Sequence, residues 1–327
     1  MMERRPLGHS GVVVPVLGFG CGGSARLMVG DDRAAQVAAV HAALDSGIDY
    51  FDTAPAYGGG RSEANLGLVL AHLGSPSVTI STKVALDEEQ LGRPRDALLR
   101  SVEASLQRLG RERVDMLLLH NRVARSRPAG ERVGVGPVLG LADVFDPGGV
   151  ADGFQELLDA GTISACGITS FGGEPEAVRE VMGSGIPTVI NAALSLLEPT
   201  SALPVAPLGG GADHGQVISI ADELGIGVIA IRVFGSGRLL QPADDSVTDA
   251  VRRLAADLGD GDAYIGSLAF ALGTPGVGSA VIGFSEAAHV HAAVSALRAA
   301  GASRFGVSEI TGRLTEISSA SVSSTPG

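Results

Sequence analysis

Four residues in this chain have the types needed for proton transfer at a carbonyl: Asp52, Tyr57, Lys83 and His120. A phenol has an unperturbed pKa of about 10. It is protonated at neutral pH and can donate to a carbonyl oxygen that is becoming an alkoxide. To run in reverse it must lose that proton, and a nearby ammonium favours the phenolate. A lysine buried alone tends to go neutral, so it needs a carboxylate, which Asp52 supplies. His120, hydrogen-bonding the same oxygen, would orient the carbonyl. None of these groups can deliver hydride, so the chemistry calls for a cofactor. Lys83 is the only lysine in the chain, against 23 arginines. Only lysine titrates readily when buried, so a surviving lysine is a candidate for work that arginine cannot do. Taken pairwise, the same residues would also serve as a structural ion pair beside a core histidine.

The surrounding elements must bring these groups to one place. Residues 48–52 read as a buried strand, stopped by Pro55 and Gly58 to Gly60, with Ser62 expected to cap a helix over 62–72. Asp52 therefore ends a strand, and Tyr57 stands in the loop beyond. Val78-Thr-Ile-Ser-Thr-Lys83 reads as a β-branched strand, with Thr79, Ser81 and Lys83 on one face. Val114-Asp-Met-Leu-Leu-Leu-His120 is the next strand. Further strands are expected at 14–20, 163–170, 188–192, 227–233 and 279–284, with helices between them. Eight βα units at even spacing predict one (β/α)8 TIM barrel over 1–315, whose strand ends share a face. A doubly wound sheet is the runner-up. An N-terminal hairpin over 5–17 should plug one end. Long irregular stretches at 121–149 and 195–213, after the fourth and sixth strands, read as substrate lids. Residues 316–327 lack core-forming content and are expected to be a disordered tail.

Composition narrows the function. The chain has 327 residues, 45% of them hydrophobic, enough for a large core. The net charge of −12 argues against nucleic acid or an anionic membrane as partner. No apolar run reaches membrane-spanning length, and MMERRPLGHSG lacks the apolar stretch of a secretory signal. Cys21 and Cys166 are the only cysteines. Without CxxC spacing they suggest a reducing compartment, hence a cytoplasmic protein, and no metal site. Of the other histidines, His9, His41, His72, His214, His289 and His291 read mostly as surface residues. Arg122, Arg125, Arg127 and Arg132 overhang the expected mouth and would suit an acidic or phosphorylated substrate.

Gly47-Ile-Asp-Tyr-Phe-Asp-Thr-Ala-Pro-Ala-Tyr-Gly58, then Ser-Thr-Lys83, then Leu-Leu-Leu-His120-Asn121, in that order, resembles the aldo-keto reductase superfamily, over nearly the whole chain. The resemblance implies a (β/α)8 barrel using NADP(H), less often NAD(H), with Tyr57 as proton donor, Lys83 and Asp52 tuning it, and His120 orienting the carbonyl. Where that family holds the carboxamide with Ser-Asn, this chain has Thr169 and Ser170, and Asn191 stands for the usual Gln. Ile231-Arg232-Val233-Phe234 replaces the run that begins with the aromatic stacked on the nicotinamide. Gly283, Ser285 and His289 fall where the adenosine phosphate would lie, without the usual basic residue. Phe19, Asn121 and Phe145 are the candidate substrate contacts. The resemblance implies interconversion of a carbonyl and an alcohol. Alternatives are a sugar (aldose) 1-dehydrogenase, which makes a lactone from a lactol, and a non-catalytic barrel of the same fold. The sequence leaves oligomeric state open.

Overall fold

Short apolar runs separated by helical patterns become one sheet that closes on itself in the computed structural model, which describes residues 2–323 except 129, 131, 134, 244 and 301–305. Its strands are β1 (Leu17–Gly20), β2 (Tyr50–Asp52), β3 (Thr79–Val84), β4 (Met116–Leu119), β5 (Ala165–Ser170), β6 (Val189–Ala193), β7 (Gly227–Ile231) and β8 (Val277–Gly283). Every neighbouring pair is parallel, and β8 returns to β1 with Val281 beside Gly18. The helices that carry the crossovers are α1 (Arg33–Asp45), α2 (Arg61–His72), α3 (Pro94–Leu109), α4 (Val150–Asp159), α5 (Pro175–Gly183), α6 (Val217–Glu223), α7 (Ser246–Leu258), α8 (Ala263–Gly273) and α9 (Ala287–Ala300). Their ends follow ordinary capping chemistry. Asp32 accepts from Ala35 N at 2.9 Å to start α1, and Pro94 opens α3, which ends on Gly110 in the left-handed region.

Alternation along the strands divides the apolar residues into two layers. Tyr50, Met116, Leu118, Ala165, Val189, Ile229 and Val281 fill the barrel, while Phe19, Phe51, Leu117, Leu119, Ile168 and Ile190 pack outward among the buried helix residues. The hairpin pairs Arg4–Pro6 with Val13–Pro15 and sends Leu7 and Val14 into the inner layer, closing the bottom. Each fully buried side chain of this size contributes about 1.5–3 kcal/mol.

Three expectations are revised. Ser62 is not the cap of α2: Gly60 holds that position, and Ser62 spends its hydroxyl on the Cys21 carbonyl at 2.9 Å and on Thr53 Oγ1 at 2.8 Å. The stretch 121–149 is partly ordered by short ladders, Val123–Ala124 with Leu139–Gly140 and Arg132–Val133 with Gly136–Pro137, and by a short helix at Leu141–Phe145. A tail beginning at 316 is also not what forms. Helix α10 runs Val307–Ser323 because Ile310, Leu314 and Ser318, four residues apart, make one buried stripe. Residues 324–327 of the expected tail lie outside the described residues.

Candidate active site

Asp52 closes β2, Lys83 sits near the end of β3 and His120 follows β4, so consecutive strands deliver three of the groups to one rim. Tyr57 comes back over that rim because Gly58, Gly59 and Gly60 all take positive φ (62°, 64° and 89°), a turn that residues with a Cβ rarely adopt. All four line one cleft of about 600 Å³.

Lys83 is fully buried and has three N–H donors. It gives one to Asp52 Oδ2 at 2.6 Å and one to the Thr53 carbonyl at 2.9 Å. Its Nζ lies 4.9 Å from the centre of the Tyr57 ring. Asp52 Oδ1 accepts from Ser81 Oγ at 2.7 Å and from Asn191 Nδ2 at 3.2 Å. Ser81 in turn meets the Tyr50 hydroxyl at 3.0 Å. Since Ser81 donates to the carboxylate, Tyr50 donates to Ser81, and a polar column runs down inside the barrel. From outside, buried Glu63 accepts from Thr82 at 2.6 Å and Arg108 at 2.7 Å, which steadies β3 next to Lys83.

This packing sets the protonation states. Burial would lower the Lys83 ammonium, but the Asp52 carboxylate and the Tyr57 side chain outweigh it and raise the pKa to about 12. Burial raises the Tyr57 phenol, with the Lys83 charge partly opposing it, so Tyr57 is a proton carrier at neutral pH. Burial, then Lys83, pushes His120 down to about 3, so its ring is neutral. Its ring stands edge-on to Tyr57, with centroids 5.8 Å apart, and Nδ1 has no hydrogen-bond partner among the described residues.

The neutral histidine has a measurable consequence. Below its ordinary pKa of 6.5 the unfolded chain takes up a proton that the folded site refuses until about pH 3. Stability therefore falls as pH drops from 6.5 towards 3, by an amount on the order of a few kcal/mol from this group. In His120→Gln that contribution is absent, and denaturant unfolding at neutral and at acid pH should show a smaller acid loss than in the parent. Equal losses would mean that His120 is not held neutral.

Opposite the tetrad, Thr169 on β5 and Asn191 on β6 are register partners and both line the cleft. Thr169 Oγ1 and Asn191 Oδ1 are buried without a partner among the described residues. Buried oxygens of this kind cost free energy unless something pairs with them, and a carboxamide brings the matching groups. These residues therefore fit a nicotinamide. Ile231, Arg232, Val233, Phe234 and Gly283 line the same cleft.

Other expected site residues stand elsewhere. Phe19 is wedged between Phe51 and Phe284 on the outer face, at centroid distances of 5.4 and 5.0 Å. Phe145 packs on the outer core. Asn121 is buried and bridges backbone, accepting from Leu86 N at 2.7 Å and donating to Leu86 O and Pro137 O, so it pins the loop after β4 and lies outside the cleft lining. Ser170 is buried but outside the cleft lining, since neighbours on a strand face opposite ways. Ser285 and His289 are bonded to each other at 2.8 Å, exposed and outside the lining. His214, read as a surface residue, is buried with Nε2 3.9 Å from Glu198. Of the loop arginines, Arg127 pairs with Asp143 and Arg122 stacks on Phe171 at 5.3 Å. The Arg132 side chain lies outside the described residues. Residues the sequence reading did not select include Ser81 and Tyr50, and Val135 in the lining. For Ser81 the signal was present, because it shares the Lys83 face of β3.

The chain belongs to the aldo/keto reductase family, whose model matches residues 16–303. It is 32% identical over 178 residues to the aldo-keto reductase YhdN of Bacillus subtilis (strain 168), covering 52% of this chain and 47% of that one. It is 29% identical over 260 residues to a D-threo-aldose 1-dehydrogenase from Pseudomonas sp, covering 71% and 69%. The chain thus spans about half the length of the Bacillus relative, and less than half of two others. Among solved structures, the holo form of an aldo-keto reductase from Bacillus halodurans superposes with a TM-score of 0.72 at 22% identity, over 97% of each chain. No helix among the described residues is long and apolar enough to cross a membrane.

Proposed function

We propose that the chain is an NAD(P)(H)-dependent oxidoreductase that interconverts an aldehyde or ketone and an alcohol. The observation that carries this reading is the buried Asp52–Lys83 pair against Tyr57, in one cleft with the unpartnered oxygens of Thr169 and Asn191. Those two oxygens would hold the carboxamide, Ile231 the ring face, and the bound dinucleotide supplies hydride. Tyr57 donates its proton to the oxygen that gains negative charge. Lys83 stabilises the phenolate left behind, and Asp52 keeps Lys83 charged and in place. Neutral His120 donates a hydrogen bond to the carbonyl oxygen and fixes its direction. In the oxidative direction the Tyr57 phenolate accepts the alcohol proton. Two buried free cysteines support a cytoplasmic location.

The second reading, oxidation of a sugar lactol to a lactone, is favoured by the D-threo-aldose 1-dehydrogenase relative, which aligns over 69% of its length. Titration with NADPH and NADH followed by carbonyl and aldose panels separates the two. Binding of neither dinucleotide would overturn both and leave a non-catalytic barrel.

Cofactor choice carries its own prediction. Discrimination for NADPH needs a positive partner for the 2′-phosphate. Residues 283–289 contain no Lys or Arg, and Glu286 lies 3.4 Å from His289. Arg238 is already engaged by Asp245 at 3.0 Å. The start of α9 can still attract a phosphate, a contact worth about 0.3–1 kcal/mol when exposed. NADPH should be preferred over NADH by about tenfold in Kd, equivalent to about 1.4 kcal/mol. The margin should shrink with added salt. A thousandfold preference would mean that a basic side chain, with Arg232 the cleft-lining candidate, reaches the phosphate.

A further inference from the structure

Besides Lys83, which is paired with Asp52, the cleft lining has one cationic side chain among the described residues, Arg232. It follows β7 with a φ of 59°, a left-handed backbone that residues with a Cβ rarely adopt. Such a conformation persists only where the surrounding structure holds it. The guanidinium carbon lies 5.3 Å from the centre of the Phe171 ring, and Nη1 lies 3.5 Å from Glu198 Oε1. Phe171 follows β5 and Glu198 follows β6. In strand order the side chain therefore reaches back toward β4 and His120, and away from β8 and Gly283. The Phe171 ring stands edge-on to the His120 ring, with centroids 5.8 Å apart. One ring separates the guanidinium from His120.

The contact with Glu198 does not occupy that guanidinium. Arginine carries five N–H donors in a planar fork. A direct charge-assisted bond to a carboxylate runs about 2.7–2.9 Å, so the 3.5 Å pair is a loose one. Glu198 is also shared, since buried His214 lies 3.9 Å from the same oxygen. Burial would raise the Glu198 carboxyl, but His214 and Arg232 outweigh it, so the group is a carboxylate at neutral pH. Arg232 thus rests loosely against an anion of the chain's own. A second guanidinium, that of Arg122, lies 5.3 Å from the centre of the same Phe171 ring. In a chain of net charge −12 this side of the mouth is locally basic, and a basic patch in a cleft draws anions.

We infer that Arg232 is a subsite for a carboxylate on the substrate: the favoured compounds are oxo acids, whose carbonyl lies at Tyr57 and His120 while the carboxylate takes the place of Glu198 on the guanidinium. This deepens the oxidoreductase reading above and rests on it. The ligand is the same chemical group that Arg232 already faces in Glu198, and a free carboxylate can meet the fork with two parallel N–H···O bonds. Phe171, between His120 and Arg232, offers an apolar surface to the segment that joins the two polar ends.

The test compares kcat/KM for 4-formylbenzoate and 4-nitrobenzaldehyde, alike in shape and different in charge, in the parent, Arg232→Asn, Arg232→Lys and Glu198→Gln. Asn is chosen because it tolerates the left-handed backbone. The charged-to-neutral ratio should fall about 10–100-fold in Arg232→Asn, the range of a hydrogen bond to a charged group, and less in Arg232→Lys. In Glu198→Gln it should rise, by up to about fivefold, because a partly exposed competing pair is gone. Calorimetric binding of 4-(hydroxymethyl)benzoate without dinucleotide should follow the same order. An arginine that only fastens the loop after β6 would lower stability when replaced and leave the ratio unmoved. Turnover with an unmoved ratio overturns the subsite and leaves the oxidoreductase reading standing. Carboxylate binding that weakens with residue 232 in a protein that turns over no carbonyl upholds the subsite and overturns that reading. Neither turnover nor binding overturns both.

Discussion

Tyr57→Phe lowers turnover by about 10²–10⁴-fold, the usual contribution of a positioned general acid, while leaving the protein folded and able to bind dinucleotide. The substitution removes one oxygen. The ring keeps its edge contact with His120, and the Asp52–Lys83 pair keeps its 2.6 Å hydrogen bond. Lys83 retains Asp52 and Thr53 as partners, so little stability is lost with the hydroxyl. Steady-state rates beside dinucleotide Kd values make the comparison, and the expected signature is a kcat collapse at nearly constant Kd. Turnover close to that of the parent would remove Tyr57 from the role of acid, leaving His120 or water as the donor. His120 is a poor substitute, because burial and Lys83 hold its ring neutral down to about pH 3.

Lys83→Met is expected to affect both stability and catalysis. The ammonium is fully buried, and its removal strands the Asp52 carboxylate in the barrel with Ser81 and Asn191 as its remaining partners. Breaking a buried pair in this way costs about 3–5 kcal/mol. The double variant Asp52→Asn/Lys83→Met leaves no unpaired charge and should recover part of that loss, which denaturant unfolding would register. Activity should fall more steeply in the oxidative direction, where Tyr57 must be a phenolate. Burial already raises the phenol, and Lys83 is the group that opposes it. Equal losses in the two directions would make Lys83 a structural residue. Lys83→Arg should not rescue, because a planar guanidinium cannot reproduce a single ammonium nitrogen that bonds Asp52 and the Thr53 carbonyl while facing the Tyr57 ring at 4.9 Å.

Sequence by itself determined the eight βα units and the rim that carries Asp52, Lys83 and His120. Glycine and proline punctuate the strands, and a period of two puts Ser81 with Lys83, so local pattern alone sets Asp52, Lys83 and His120 at neighbouring strand ends. Sequence did not determine which face of an apolar strand looks inward. Parallel strands in a barrel are buried on both sides, and Leu-Gly-Phe-Gly over β1 carries no polar mark to tell lumen from outer layer. Tertiary structure turned Phe19 outward onto Phe51 and Phe284. By the same period, Thr169 reaches the cleft and its neighbour Ser170 does not. Asn121 looked like a substrate contact because it follows His120, but its amide is used up on the backbone of Leu86 and Pro137. Those partners lie 35 and 16 residues away. Local pattern specifies a strand end and the residue on it, while the identity of a side chain's partner depends on segments that only closure of the barrel brings together.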